Sequence, residues 1–162
     1  AFSKLVKKNK QYKFVIIGVG EELSRSKSLS QQLGLENNII WVGEVYNQKD
    51  LTPWFLSADL FLYPGSIGLS IFDAFCNSLP VITHNNDKIQ MPEFDAIKNG
   101  KNGLLYQHGN KSDLIKKIEK LANSILLRNY LSKKALETSK REYNIDIMVS
   151  QFFNMIKILN KK

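Results

Sequence analysis

The stretch "LFLYPGSIGLSIFDAFCNSLPVITH", residues 60–84, decides the fold. It runs from a β-rich apolar segment through a glycine-serine turn into an apolar helix, then into a second apolar strand. Two strands joined through a helix point to a parallel sheet, because the crossover returns the chain to the edge it started from. One residue is out of place. Asp73 is a carboxylate among Ile71, Phe72, Ala74, Phe75 and Cys76, a composition that predicts a helix buried nearly all round. An ionised carboxylate in such a helix must be paired or hydrogen-bonded, since burying it bare is costly.

The same alternation extends outward in both directions. "KFVIIG" (13–18), "IIWVGE" (39–44), "DLFLYP" (59–64), "PVITH" (80–84) and "GLLYQ" (103–107) are continuous apolar runs with flanking glycine or proline. They read as buried strands that need cover on both faces. Helical patterns lie between them. "EELSRSKSLSQQLGL" follows Gly20 and stops at Gly34. In "NQKDLTPWFLSA", Leu51, Trp54, Phe55 and Ala58 share a face, which places Pro53 in the first turn. In "SDLIKKIEKLANSI", Ser112 is the expected N-cap, and Leu114, Ile118, Leu121 and Ile125 make a stripe at helical spacing. Two more helices are expected over 127–141 and 146–159, the last lined by Met148, Phe152, Met155, Ile156 and Leu159. The whole predicts one α/β domain over 1–162, Rossmann-like and three-layered, with a parallel sheet and helices on both faces.

Composition narrows the function classes. The 162 residues fit a single core, and no apolar run reaches the length of a membrane span. The net charge of +8 suits an anionic partner. However, the lysines crowd the ends (Lys4, Lys7, Lys8, Lys10, Lys13, Lys157, Lys161, Lys162) and the helices between Lys111 and Arg141. They lack aromatic-basic interleaving of the kind that single-strand binders use for base stacking, so nucleic acid is not the expected partner. Cys76, the single cysteine, reads as a buried small hydrophobe, and a lone thiol fits a reducing compartment. The chain opens at Ala1 in helical sequence, so a fragment of a longer protein is expected.

In a doubly wound sheet, ligands bind beyond the carboxyl ends of the strands. "GVGEEL" offers Gly18 and Gly20 there, but Leu23 stands where a dinucleotide fingerprint needs its third glycine, and Glu21 and Glu22 would repel a pyrophosphate. This is either a turn beside a ligand or a purely structural one. "PGSIGLS" (64–70) is better placed: Gly65 and Gly68 permit close backbone approach, Ser66 and Ser70 carry hydroxyls, and a helix begins next. A plain strand-to-helix turn explains it equally well. Asp73, about one turn inside that helix, could accept two hydrogen bonds from a vicinal diol such as a ribose; otherwise it faces solvent or pairs with a lysine. His84 ends a strand and is positioned to line a cleft, whereas His108 has a surface-loop context. Neither has metal-ligand spacing, and no metal site is expected.

Taken together, these motifs resemble the C-terminal, donor-binding domain of glycosyltransferase family 4 enzymes, which have the two-domain GT-B fold. The resemblance rests on the order and spacing of "KFVIIGVGEE", "LGLENNIIWVGEV", "LSADLFLYPGSIGLSIFDAFCNSLPVITH" and "MPEFDAIKNGKNGLLYQHGNKSDLIKKIEKL". It includes Asn102-Gly103-Leu104 and the acidic helix start Asp113-Leu114. The family signature is a pair of acids, E-x(7)-E, around a glycine turn. Here the second acid falls on Asp73 and the first on Gly65.

The resemblance implies a nucleotide-sugar donor, UDP- or GDP-linked, with no cofactor or metal. Asp73 would bind the ribose hydroxyls. The segment Gly65, Ser66, Ile67, Gly68, Leu69 and Ser70 would approach the pyrophosphate and sugar. Gly43, Val45 and Leu51 would lie near the base, and Gly18, Gly20 and His84 would border the cleft. It further implies a retaining transferase in bacterial surface polysaccharide or glycan synthesis. That enzyme would be cytoplasmic, in peripheral contact with the inner face of the membrane. Its glycan or lipid-linked acceptor would be held by an N-terminal domain absent from this chain, so the isolated domain is expected to be inactive. The alternatives are a degenerate nucleotide-binding module without turnover, since Gly65 lacks the first acid, and a sugar-nucleotide epimerase, for which no acid pair is evident.

Overall fold

The computed structural model describes residues 1–160; Lys161 and Lys162, part of the basic C-terminal cluster, lie outside the described residues. Five strands form where the apolar runs place them: β1 (Phe14–Ile17), β2 (Ile39–Gly43), β3 (Phe61–Leu62), β4 (Val81–His84) and β5 (Gly103–Tyr106). Every pairing is parallel, with Phe14 opposite Ile39, Phe61 opposite Val81, and Val81 opposite Gly103. The expected single sheet is divided into two hydrogen-bonded groups, β1-β2 and β3-β4-β5. The short β3 directs the N–H groups of Phe61 and Tyr63 to Pro80 and Ile82 on the β4 side, and no ladder joins it to β1 among the described residues.

Burial follows the central strand. All four residues of β4 are buried, whereas β1 and β2 are half-buried, less covered than their apolar sequences suggest. Alternation along β4 sends Val81 and Ile82 into different clusters. Val81 packs with Phe55 of α3 (Gln48–Leu56) and with Ile71, Ala74 and Phe75 of α4 (Ser70–Cys76). Ile82 packs with Leu5 of α1 (Phe2–Lys8) and with Leu114, Ile118 and Leu121 of α5 (Lys111–Ala122). These are the outer layers of a three-layer α/β domain. The long α6 (Ile125–Glu142) contributes Ala135 to the first cluster and Leu131 to the second, tying the layers together. Fully buried side chains such as Phe75 and Ile82 each contribute about 1.5–3 kcal/mol of transfer free energy.

Two positions show why particular residues are required. A Cβ on Gly103 would meet the Val81 carbonyl oxygen at 2.6 Å, so β4 and β5 can approach this closely only with glycine there. Asn102, fully buried beside it, donates to the Ala96 carbonyl and the Thr138 hydroxyl and accepts from the Lys98 N–H, satisfying polar groups that water cannot reach.

Several local expectations are revised. The helix after the first glycine turn is α2 (Leu23–Gln32); it ends in a Schellman motif, with Leu35 N–H on Ser30 O, Gly34 N–H on Gln31 O, and Gly34 at φ +63°. Pro53 lies in the second turn of α3, because Asn47 caps the helix and starts it at Gln48. Likewise Asn110, not Ser112, caps α5, accepting from both Ser112 and Asp113 N–H groups. Ile125 falls outside the α5 stripe: Ser124 caps a new helix there, and Ile125 is exposed. Cys76 is exposed, contrary to its reading as a core residue, since α4 turns Ile71, Ala74 and Phe75 fully inward, with Phe72 packed beside them. In α7 (Ile145–Leu159) no side chain is buried, and Phe152 and Phe153 are open to solvent. No helix among the described residues is long and apolar enough to cross a membrane.

Candidate functional site

At the carboxyl end of β1 and β2 the two glycines meet: Gly18 N–H donates to Gly43 O at 2.6 Å. Their φ values, +114° and +83°, are open to glycine and strained for other residues, so each strand turns sharply at this edge. Beyond Gly43 the chain passes half-buried Val45 and enters α3, whose Leu51 packs against the cluster holding Ile67 and Ile71. The Gln48 side-chain amide, at the start of α3, donates to Asp73 Oδ1 at 3.0 Å. That hydrogen bond joins the loop of the β1-β2 group to the helix of the β3-β4-β5 group. The structure thus ties the segment between Val45 and Leu51 to Asp73 through Gln48, residues widely separated along the chain.

The glycine turn between β3 and α4 is held on one side only. Tyr106 O–H donates to Pro64 O at 3.3 Å, and the Ser66 hydroxyl donates to Ile89 O. Ile67 N–H donates to Gln90 Oε1 at 2.7 Å, and the Ile67 side chain is fully buried. After Ile67 the pattern changes. Among the described residues, the N–H groups of Gly68, Leu69 and Ser70 have no acceptor, and Leu69 is exposed. Gly65 needs no glycine for backbone reasons: a Cβ would meet only Tyr63 Cε1, at an ordinary 3.6 Å.

Asp73 is not buried among the apolar residues of α4, and of the expected alternatives it takes the solvent-facing one. It is half-exposed because it lies on the α4 side opposite Ile71 and Phe75, and its Oδ1 is engaged by Gln48. The carboxylate is therefore reachable from solvent, one turn downstream of the unpaired amides. His84 is only 1 % exposed and lies beneath this edge rather than on its surface. Its ring is 4.7 Å from that of His108, and its Nδ1 accepts from Asn86 N–H at 3.2 Å. Burial and the neighbouring His108 push its pKa below the usual histidine value, which keeps the imidazole neutral. Gly20 lies exposed at the turn after β1, next to Val19.

Sequence reasoning missed Gln48, Gln90, Thr83 and Tyr106 as members of this edge. Each is a single polar or aromatic residue on a different element, and no spacing rule links them. A separate concavity is lined by Asp59, Asn77, Ser78 and Arg128 around the segments that precede β3 and β4. It is at the amino edge of the sheet, away from the loops described here.

Comparison with known proteins gives the family and the fold of the chain. The family model described as "Glycosyl transferases group 1" matches residues 1–138. The poly(ribitol-phosphate) alpha-N-acetylglucosaminyltransferase of Staphylococcus aureus is 28% identical over 152 residues, covering 93% of this chain and 30% of that protein. Among solved structures, an S. aureus TarM mutant in complex with fondaparinux, alpha-GlcNAc-glycerol and UDP superposes with a TM-score of 0.82 at 24% identity. It covers 94% of this chain and 30% of that one. The C-terminal domain of a group 1 glycosyl transferase (LpcC) from Francisella tularensis superposes with a TM-score of 0.73 at 22% identity, covering 88% of this chain and 75% of that one. The chain thus spans under a third of the S. aureus transferase and three-quarters of the Francisella C-terminal domain. With the family model covering most of its length, the chain belongs to the group 1 glycosyl transferases.

Proposed function

We propose that this chain is the C-terminal, nucleotide-sugar-binding domain of a retaining family 4 glycosyltransferase that builds a bacterial surface polysaccharide or related glycan. The observation that carries the reading is the convergence at one edge of three unpaired amides (Gly68, Leu69, Ser70), a reachable carboxylate (Asp73) and the Gly43–Leu51 segment bonded to it through Gln48. Amides of this kind receive phosphate oxygens, and a carboxylate receives a pair of sugar hydroxyls. The Francisella neighbour, itself a C-terminal domain, supports the placement, and the S. aureus neighbour's structure contains UDP.

Catalysis on this reading is electrostatic. Amides and basic groups stabilise the leaving nucleoside diphosphate, with further groups supplied from a separate acceptor-binding domain. Val19, Tyr46, Leu69, Ile89 and Met91 are exposed apolar side chains on loops around this edge, a surface suited to closure by such a domain. The chain alone would bind donor weakly and transfer nothing. No cofactor or metal enters this account, and the enzyme would work in the cytoplasm, peripherally at the membrane face where a lipid-linked acceptor is presented. The second reading, a binding module without turnover, is favoured by one observation: Gly65 stands where the family has an acid, though the backbone would accept a side chain there.

Titrating the isotopically labelled chain with UDP and with GDP tests the donor site. Amide shifts concentrated over 65–73 and 43–51 are the expected result. Shifts confined to the basic termini would overturn the reading. Turnover of nucleotide-sugars by the intact protein separates transferase from module.

A further inference from the structure

Gln90 lies in the loop between β4 and β5, outside every motif described above. Its carboxamide makes hydrogen bonds in two directions. Oε1 accepts the Ile67 N–H at 2.7 Å, while Nε2 donates to His84 O at 3.0 Å and to Thr83 Oγ1 at 3.1 Å. The same Nε2 lies 3.2 Å from His84 Nδ1, which also accepts from Asn86 N–H and is therefore an unprotonated acceptor. Thr83 and His84 are the last two residues of β4, the most deeply buried strand, so the amide end of Gln90 is anchored to the rigid centre of the domain. Its oxygen end reaches the glycine turn. The neighbouring Ile89 reinforces the grip by accepting the Ser66 hydroxyl. Two consecutive loop residues, 89 and 90, thus hold two consecutive turn residues, 66 and 67.

We infer that Gln90 is a positioning residue for donor binding: it fixes the first half of the glycine turn so that the unpaired N–H groups of Gly68, Leu69 and Ser70 are held ready for a diphosphate. This rests on the donor-binding reading above and sharpens it. Ile67 becomes the anchor of the turn rather than a ligand contact, because its side chain is buried and its N–H is already donated. A turn with two glycines is intrinsically loose, so orienting three successive amides requires an external restraint. The Gln90 carboxamide is the side chain that supplies it, since a residue with a single hydrogen-bonding function could not bridge a donor N–H and an acceptor carbonyl.

The experiment uses the intact protein with wild-type sequence, Gln90→Ala and Gln90→Met. Affinities are measured for UDP against uridine and for GDP against guanosine. Hydrogen exchange is followed in segments covering Ile67 and β4. The inference expects both variants to lose about tenfold or more in nucleoside diphosphate affinity, the effect of misplacing oriented donors. Nucleoside affinity stays unchanged. Exchange at Ile67 accelerates while β4 remains protected. Met preserves the side-chain length, so its agreement with Ala assigns the effect to the hydrogen bonds, and it carries the test if the Ala variant does not fold. Equal losses for nucleoside and diphosphate would show a general structural role and overturn the inference, as would unchanged diphosphate affinity. Failure of the wild-type protein to bind any of the four compounds would overturn the donor-binding reading, and this inference with it.

Discussion

Asp73→Asn isolates the carboxylate of the proposed ribose contact. Asn keeps an oxygen at Oδ1, so the hydrogen bond from Gln48 Nε2 at 3.0 Å survives. What changes is the other terminus, where a charged acceptor becomes an N–H donor facing the diol. A hydrogen bond to a charged group contributes about 1.5–3 kcal/mol, so the ribonucleotide should bind roughly 10- to 150-fold more weakly. The fold should hardly notice. Asp73 is half-exposed on a helix whose core contacts come from Ile71, Ala74 and Phe75, and changes at such positions usually stay within about 0.5 kcal/mol. Calorimetry on the intact protein, with UDP and GDP and their 2′-deoxy analogues, reads the effect as a double cycle. If Asp73 grips the 2′-hydroxyl, the substitution and the deoxy change will be strongly non-additive. Additive losses, or unchanged ribonucleotide binding in a folded variant, would refute the assignment.

Other expectations concern the frame beneath the site. Gly103→Ala places a methyl 2.6 Å from the Val81 carbonyl oxygen, a backbone atom that cannot swing aside; forcing β4 and β5 apart should cost about 1–3 kcal/mol. A lower urea midpoint at unchanged slope would show this, and an unaltered midpoint would contradict the close approach. His84 gives a pH dependence. Burial and His108 hold its folded pKa below the unfolded value of 6.5, so between these two values the unfolded chain binds more protons. Stability therefore rises with pH across that window and is fully present above it. The urea midpoint should be lower at about pH 5.5 than at about pH 7.5, and His84→Gln should shrink the difference. Equal slopes in both proteins would exclude His84 as the source.

The order of elements and their parallel arrangement are legible in the apolar pattern of the chain. Continuous apolar runs such as "KFVIIG" and "PVITH" have no polar face to show to water, and the helical patterns between them supply the cover. The glycine turn and Asp73 are legible too, because glycine and a carboxylate are conspicuous against apolar neighbours. Capping was legible only to within two residues: Asn110 and Ser112 are both good caps, and in the structure Asn110 takes the role, accepting from the Ser112 and Asp113 N–H groups. Burial was misjudged where composition hides direction. Cys76 sits in an apolar helix, yet α4 turns Ile71, Ala74 and Phe75 fully inward with Phe72 beside them, so the thiol is exposed and Asp73 takes its solvent-facing alternative. The division of the strands into two groups, and the bonds of Gln48 to Asp73 and of Gln90 to Ile67, were decided by the tertiary structure alone. These contacts join residues 25 and 23 positions apart along the chain. Periodicity reports which face of an element is apolar, and it carries no information about which polar side chains from separate loops meet once those faces are buried.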